Sequence, residues 1–385
     1  MVPDKLDDIE TRAVSAYLCG EEEASGQLWA LAHNEHLRRR EPIGAARCVF
    51  WIVLDLLNRG EWARGNGWLT RGLPLLEPEK ESAELGLLSV LALRQQLKQG
   101  DLESAAESAS RAVELSRRFD DPELYVFSRL GLALVYGRRG QSAEAAELFD
   151  EIMVGVTVDD VSPVAVGVVY CAVIDGCHAL LDLGRAREWT AALGRWCAAQ
   201  PDLVAFRGKC LVHRSEIMAL HGAWPDAMDE ARQAAKRLTA PPGQPAAGLA
   251  FYQQGELHRL RGELTRAEDA YHQASQWGRD PQPGLALLRL AQGQVDTAAA
   301  AIRRVVDEAS DFVSRSRLLP AQVEILLAAG DVKAASAAAG ELARLAEGLG
   351  APFLTAVAAH AQGAVLLAEG DPRAALAVLR GAWLA

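Results

Sequence analysis

The chain has 385 residues, half of them hydrophobic, with a formal net charge of −11 and a pI of about 5.3. The length admits several ordinary domains or one extended repeat array, and the hydrophobic content excludes a disordered chain. Phosphate contacts are made by Lys and Arg, so a chain this acidic is ill suited to bind nucleic acid directly.

The opening stretch, MVPDKLDDIETR, is polar and acidic. It has neither the basic start nor the apolar stretch of a signal peptide. No apolar run reaches the roughly 18 residues needed to span a bilayer, so a cytoplasmic protein with no membrane partner is expected. Cys19, Cys48, Cys171, Cys177, Cys197 and Cys210 form no CxxC pair and read as small core residues.

Alanine is abundant and β-branched runs are few, which favours helix throughout. Glycines that end one helix and precede another recur at Gly20, Gly60, Gly100, Gly140, Gly184, Gly222, Gly262, Gly293, Gly330 and Gly370. Glycine suits such corners because a helix end commonly needs a left-handed residue. The clearest unit is Phe251–Ala274, a helix, a turn at Gly262 and a second helix. Gly255 lies seven before that glycine; Ala267, Tyr271 and Ala274 lie five, nine and twelve after it. Five after each glycine stand Ser25, Gly65, Ala105, Ala145, Trp189, Ala227, Ala267, Ala298, Ala335 and Ala375, small residues except for Trp189. Small residues let two helices cross closely, and a larger one nine after the corner wedges between them.

Six of the glycines are followed by an acid, at Glu21, Glu61, Asp101, Glu263, Asp331 and Asp371. Acids there suit the dipole of the second helix and can cap its free N–H groups. Thr157–Pro163, Thr239–Pro245 and Arg279–Gly284 read as turns between units, and the unit around Gly293 is short. The expectation is an all-α fold: a right-handed α-α superhelix of about ten hairpins over residues 1–385. The second helix of the last unit runs to the final residue with Trp383 and Leu384 still apolar, so further sequence is expected downstream.

This grammar resembles the tetratricopeptide repeat, with a period near 40 in place of about 34. Glu61–Glu77, Tyr170–Trp189 and Gly255–Ala274 further resemble the MalT-type repeat region of large LuxR-type bacterial transcription regulators. In that family a C-terminal helix-turn-helix binds DNA, and some members carry an N-terminal ATPase. Here Gly137–Ser142 is no phosphate loop, and no DNA-contacting residue can be carried over. The resemblance implies a sensor and oligomerisation region that touches DNA only through a missing domain.

In a stacked array the first helix of each hairpin faces inward. Counting the corner glycine as position 15, positions 2, 5, 6, 9 and 13 point that way. In units two to four they are mostly apolar: Phe50, Trp51, Leu54, Val90, Phe127, Leu130 and Leu134. In units five to seven they become Asp175, His178, Asp182, Lys209, His213, Glu216, Gln253 and Glu256, joined by Tyr252. Such a groove suits a peptide, a protein segment or a small polar effector; the same residues also suit a plain solvated face.

His33 and His36 have no third ligand in reach and do not form HExxH, so no metal and no cofactor is expected. His258 and His272 read as members of a helix pair. Trp62, Trp68, Trp189, Trp196 and Trp224 read as packing residues. No G-x-S-x-G occurs, and the carboxylates sit at helix starts and outer faces, so no enzyme is expected. Two functions remain: an effector- or protein-binding region of a regulator, or a free-standing interaction scaffold without DNA binding.

Overall fold

The computed structural model describes residues 5–76, 81–158, 161–199, 207–240 and 243–384. Residues 159–160 and 241–242, within two of the expected turns, lie outside it, as do the first four residues and Glu77. Among the described residues there are twenty α-helices, one short 3-10 turn and no strand. None of these helices is long and apolar enough to cross a membrane.

The helices pair in chain order. The first five hairpins are α1 (Lys5–Leu18) with α2 (Glu22–Arg39), α3 (Pro42–Asn58) with α4 (Trp62–Gly72), α5 (Ala83–Gln99) with α6 (Leu102–Phe119), α7 (Pro122–Arg138) with α8 (Ser142–Val158), and α9 (Pro163–Ala179) with α10 (Leu183–Ala198). The remaining five are α11 (Arg207–Leu220) with α12 (Trp224–Leu238), α13 (Ala247–Leu260) with α14 (Leu264–Gln276), α15 (Gly284–Ala291) with α16 (Val295–Glu308), α17 (Phe312–Ala328) with α18 (Val332–Leu349), and α19 (Pro352–Ala368) with α20 (Pro372–Leu384).

Nine of the ten corner glycines hold the left-handed conformation, with φ from 74° at Gly262 to 87° at Gly370. The exception is Gly184, which lies inside α10. The fifth corner is Leu181, at φ 57°. Its backbone closes like the others: Asp182 N donates to Cys177 O at 2.9 Å, as Glu263 N does to His258 O at 2.9 Å. Leu181 stands 41 residues from both Gly140 and Gly222. With this origin the crossing residue of the unit becomes Ala186, fully buried, and Trp189 no longer breaks the pattern. A rule that finds corners by glycine misses this one, because leucine can adopt the left-handed region at a cost of about 1–2 kcal/mol.

Counted from the true corners, every residue five after is buried, from Ser25 and Gly65 through Ala186 to Ala375. So is every residue seven before: Ala13, Val53, Leu93, Ala133, Ile174, Ser215, Gly255, Ala286, Val323 and Gly363. These two positions oppose each other where the helices cross. Two hairpins show it through mirror-image hydrogen bonds. Ser25 Oγ donates to the Ala13 carbonyl at 2.8 Å, and Ser215 Oγ donates to the Ala227 carbonyl at 2.7 Å. In the seventh hairpin a Cβ on Gly255 would approach the Tyr271 ring to 2.6 Å, so the tyrosine fills the space the glycine leaves.

The acids after the corners divide by length. Asp101, Asp331 and Asp371 each accept from the backbone N–H three residues on, at 3.1, 3.1 and 3.0 Å. Glu21, Glu61 and Glu263 make no such cap. The extra methylene carries the glutamate carboxylate past the N–H groups, and Glu263 instead meets His258, Arg261 and Arg266. The expected capping thus holds for aspartate and fails for glutamate.

The described residues form two compact units. One comprises residues up to 139 with 143–173 and 191–207; the other comprises 140–142, 174–190 and 208 onward. In the first unit the inner apolar positions are not an open wall. Phe50, Trp51, Leu54, Val90, Phe127 and Leu130 are buried, and the rings of Phe50, Trp51 and Phe127 meet edge to face. Val164 of α9 joins Val14, Tyr17, Trp29, Trp51 and Asp55 around one small pocket, so α9 closes over positions that were expected to face a groove. Burial, reinforced by the charge of Glu22, pushes the Asp55 carboxyl up to about 7.

Three measurements check these points. Ala267→Leu overpacks a helix crossing and should cost about 1–3 kcal/mol in chemical denaturation; an unchanged midpoint counts against close contact there. Leu181→Gly relieves a left-handed leucine and should stabilise by about 1 kcal/mol; a loss of stability would mean the side chain matters more than the corner. Folded Asp55 keeps a proton that the unfolded chain releases at its ordinary pKa of 3.8. Its favourable contribution is therefore full below that value and is lost as pH rises through about 7. Asp55→Asn should gain on wild type by about 2 kcal/mol between pH 5 and pH 8; a pH-independent difference would contradict the raised carboxyl.

Candidate functional site

The polar inner residues of the second unit come from successive turns of α9 and α11. Asp175 and His178 are three apart on α9; Lys209, His213 and Glu216 follow at intervals of four and three on α11. Those intervals place each set on one helix face. The two faces meet. The His178 and His213 rings stack with centroids 5.1 Å apart and planes 22° from parallel.

His213 is the floor of the cluster, with 5% of its side chain exposed. Its Nε2 lies 3.2 Å from Asp175 Oδ1 and its Nδ1 lies 3.5 Å from Glu216 Oε2. His178 Nε2 is also 3.5 Å from Glu216 Oε2. Lys209 Nζ stands 3.5 Å from Asp175 Oδ2 at the solvent side, where Asp175 is 45% exposed. Burial works to lower the His213 ring, yet the contacts with Asp175 and Glu216 outweigh it and push its pKa up to about 9. Burial works to raise both carboxyls, and the groups beside them prevail: Lys209 and His213 hold Asp175 well below its ordinary range, and the hydrogen bond from His213 holds Glu216 below its own. Burial keeps the His178 ring below its ordinary pKa.

Arg317 of α17, absent from the sequence-derived set, completes the cluster. Its Nη2 donates to the His178 carbonyl at 3.0 Å. Its charge also acts on Glu216, Tyr252, Asp175 and Arg279. It stands thirteen residues before Gly330, the register that Lys209 holds before Gly222, so position 2 of the ninth unit was the signal for it.

The other named residues go elsewhere. Asp182 follows the Leu181 corner and caps α10: its Oδ1 accepts from Arg185 N at 3.1 Å and its Oδ2 from Arg185 Nη1 at 2.6 Å. Counting from Gly184 had displaced it into the groove. Tyr252, Gln253 and Glu256 lie on α13. Glu256 accepts from the Tyr271 hydroxyl and, at 2.8 Å, from Arg259 Nη2. Tyr252 packs 5.7 Å from the Tyr271 ring under the Arg279 guanidinium, and burial pushes its hydroxyl up. Gln253 is buried. A Cβ at Gly284 would collide with both Glu256 and Tyr271, so that glycine makes room for their contact.

Elsewhere His33 and His36 part company. His33 Nδ1 meets the Ala45 carbonyl at 3.0 Å, while His36 sits between Glu10 and Glu41, 2.9 Å from each. His258 meets Glu263 at 2.6 Å. Trp62, Trp68, Trp189, Trp196 and Trp224 are half-buried, and none of the six cysteines is in a disulfide, five of them being buried. Among the described residues, two groups bring three metal-capable donors together: His178, His213 and Glu216 in the second unit, and Glu10, His36 and Cys48 in the first.

No protein-family model and no curated protein sequence matches the chain. Solved structures do. A Rap protein complexed with Competence and Sporulation Factor superposes with a TM-score of 0.57, over 98% of this chain and 98% of its own, at 12% identity. A signal-transduction ATPase with a tetratricopeptide-repeat sensor, from Pyrococcus horikoshii, gives 0.40 over 84% of this chain and 54% of its own, at 14% identity. The Cut9–Hcn1 assembly of the APC/C gives 0.33, over 98% and 96%, at 11% identity. Likeness to the Rap protein at that identity shows the fold: an all-α helical repeat of the tetratricopeptide kind.

Proposed function

We propose that the chain is a recognition scaffold without catalytic activity, which holds a peptide, a protein segment or a small polar effector against the polar face of its second unit. The observation that carries this reading is the cluster of Asp175, His178, Lys209, His213, Glu216 and Arg317, whose charges pair at the base and open to solvent at Asp175 and Lys209. Mixed charge over a buried floor suits a segment with its own charged groups, and it gives specificity through pairing. The Rap protein of the same fold is complexed with a factor, which agrees with this use of the architecture.

A finer reading makes the scaffold the sensor and oligomerisation region of a cytoplasmic LuxR-type regulator. Its support is the resemblance of Glu61–Glu77, Tyr170–Trp189 and Gly255–Ala274. Reading the coding sequence past Ala385 tests it. A basic helix-turn-helix within the next hundred or so codons favours the regulator; an immediate stop favours the free-standing scaffold.

For the binding face, Lys209→Glu and Glu216→Lys should each abolish retention of mixed-charge peptides on an array that the wild type recognises. The melting temperature of Lys209→Glu should stay within about 2 °C of wild type, since a half-exposed ion pair contributes little to stability. Equal retention by both variants would end this assignment.

A further inference from the structure

Where α9 meets α11, two imidazoles and a carboxylate converge. Glu216 Oε2 is 3.5 Å from His178 Nε2 and 3.5 Å from His213 Nδ1. The donor atoms of the three residues all lie within 4.8 Å of one another. Donors bound to tetrahedral zinc at about 2.0–2.2 Å stand roughly 3.3 Å apart, so the two glutamate edges of this triangle already have nearly the length a metal requires. We propose that this triangle is a binding site for a divalent transition metal of the zinc class, with His178 Nε2, His213 Nδ1 and Glu216 as ligands and Asp175 as the group that orients His213.

Four features favour a metal over a simple ion-pair cluster. Asp175 Oδ1 contacts His213 at Nε2, the nitrogen opposite the one that faces Glu216. A carboxylate behind a ligating imidazole is the arrangement that sets its tautomer and raises its basicity. His178 Nε2 and His213 Nε2 are both shielded from solvent and make no hydrogen bond, the latter 3.2 Å from Asp175 Oδ1, and buried polar atoms of that kind call for a partner. Two nitrogens and one oxygen suit zinc, cobalt or nickel, whereas calcium and magnesium take oxygen ligands. Finally, Glu216 is 34% exposed, so water can reach this carboxylate and complete the coordination of a metal held there.

The nearby cations do not fill the triangle. Lys209 reaches the far oxygen of Asp175, and Arg317 reaches a main-chain carbonyl. The rival group in the first unit is poorer. Its third donor, Cys48, is fully buried, and that burial together with Glu10 pushes the thiol up, away from the thiolate a metal needs. The proposal stands without the peptide-binding reading, since it needs no partner.

The test uses the full chain, freed of metal by dialysis against a chelator and titrated with ZnCl2 alone, then with CoCl2. We expect one saturable zinc equivalent per chain, a rise in melting temperature, and the visible absorption of four-coordinate cobalt. The double variant His178→Gln/His213→Gln should lose at least tenfold in zinc affinity, Asp175→Asn about tenfold with the stoichiometry kept, and His36→Gln nothing. If the double variant does not fold, Glu216→Gln, which preserves shape, takes its place with the same expected loss. Absence of a saturable equivalent in the wild type overturns the proposal. So does a loss below tenfold in the ligand variant, or loss of binding in His36→Gln.

Discussion

Everything in this molecule hangs on how closely two helices approach within a hairpin. At each crossing a residue seven before the corner faces one five after it, and both are buried in all ten hairpins. At least one of the two is always small. Where the first is large, as at Val53, Leu93, Ile174 and Val323, the second is Gly65, Ala105, Ala186 or Ala335. Where the first is Gly255 or Gly363, a large side chain of the second helix moves into the vacated space: Tyr271 against Gly255 and Leu379 against Gly363. Burying such a side chain is worth about 1.5–3 kcal/mol, so the hairpin is held by the wedge and permitted by the glycine.

The same hairpin serves two different interiors. In the first unit the inward residues are aromatic and aliphatic and are buried, with Val164 of α9 against Trp51 and Leu54. In the second unit those positions carry charge, and charge can be half-buried only when it is paired. His213 therefore lies between two carboxylates, Asp175 also meets Lys209, and Arg317 donates to the His178 carbonyl.

Corner chemistry was readable wherever the residue had one way to behave. Nine glycines marked left-handed corners, and the aspartates after them capped the next helix as their length allows. The fifth corner misled because leucine took the conformation usually left to glycine, and a three-residue error of origin moved Asp182 from a helix cap into the groove. Glutamates after corners misled for a related reason: charge was right and reach was wrong. Arg317 was legible by register yet invisible as a neighbour of His178, from which it is 139 residues distant.

The amino-acid order alone determined the helices, their period near 40, the small residues at the crossings and the switch from apolar to polar inner positions. Those features depend on neighbours within one turn or one hairpin, and local periodicity records them. Only the tertiary structure decided that Val164 of α9 would meet Trp51 and Leu54 around one pocket, that Glu256 would turn to Tyr271, and that His178 would stack on His213 beside Glu216 and Arg317. Those contacts follow from how one hairpin is rotated against the next, a sum of many small packing choices that no single repeat contains.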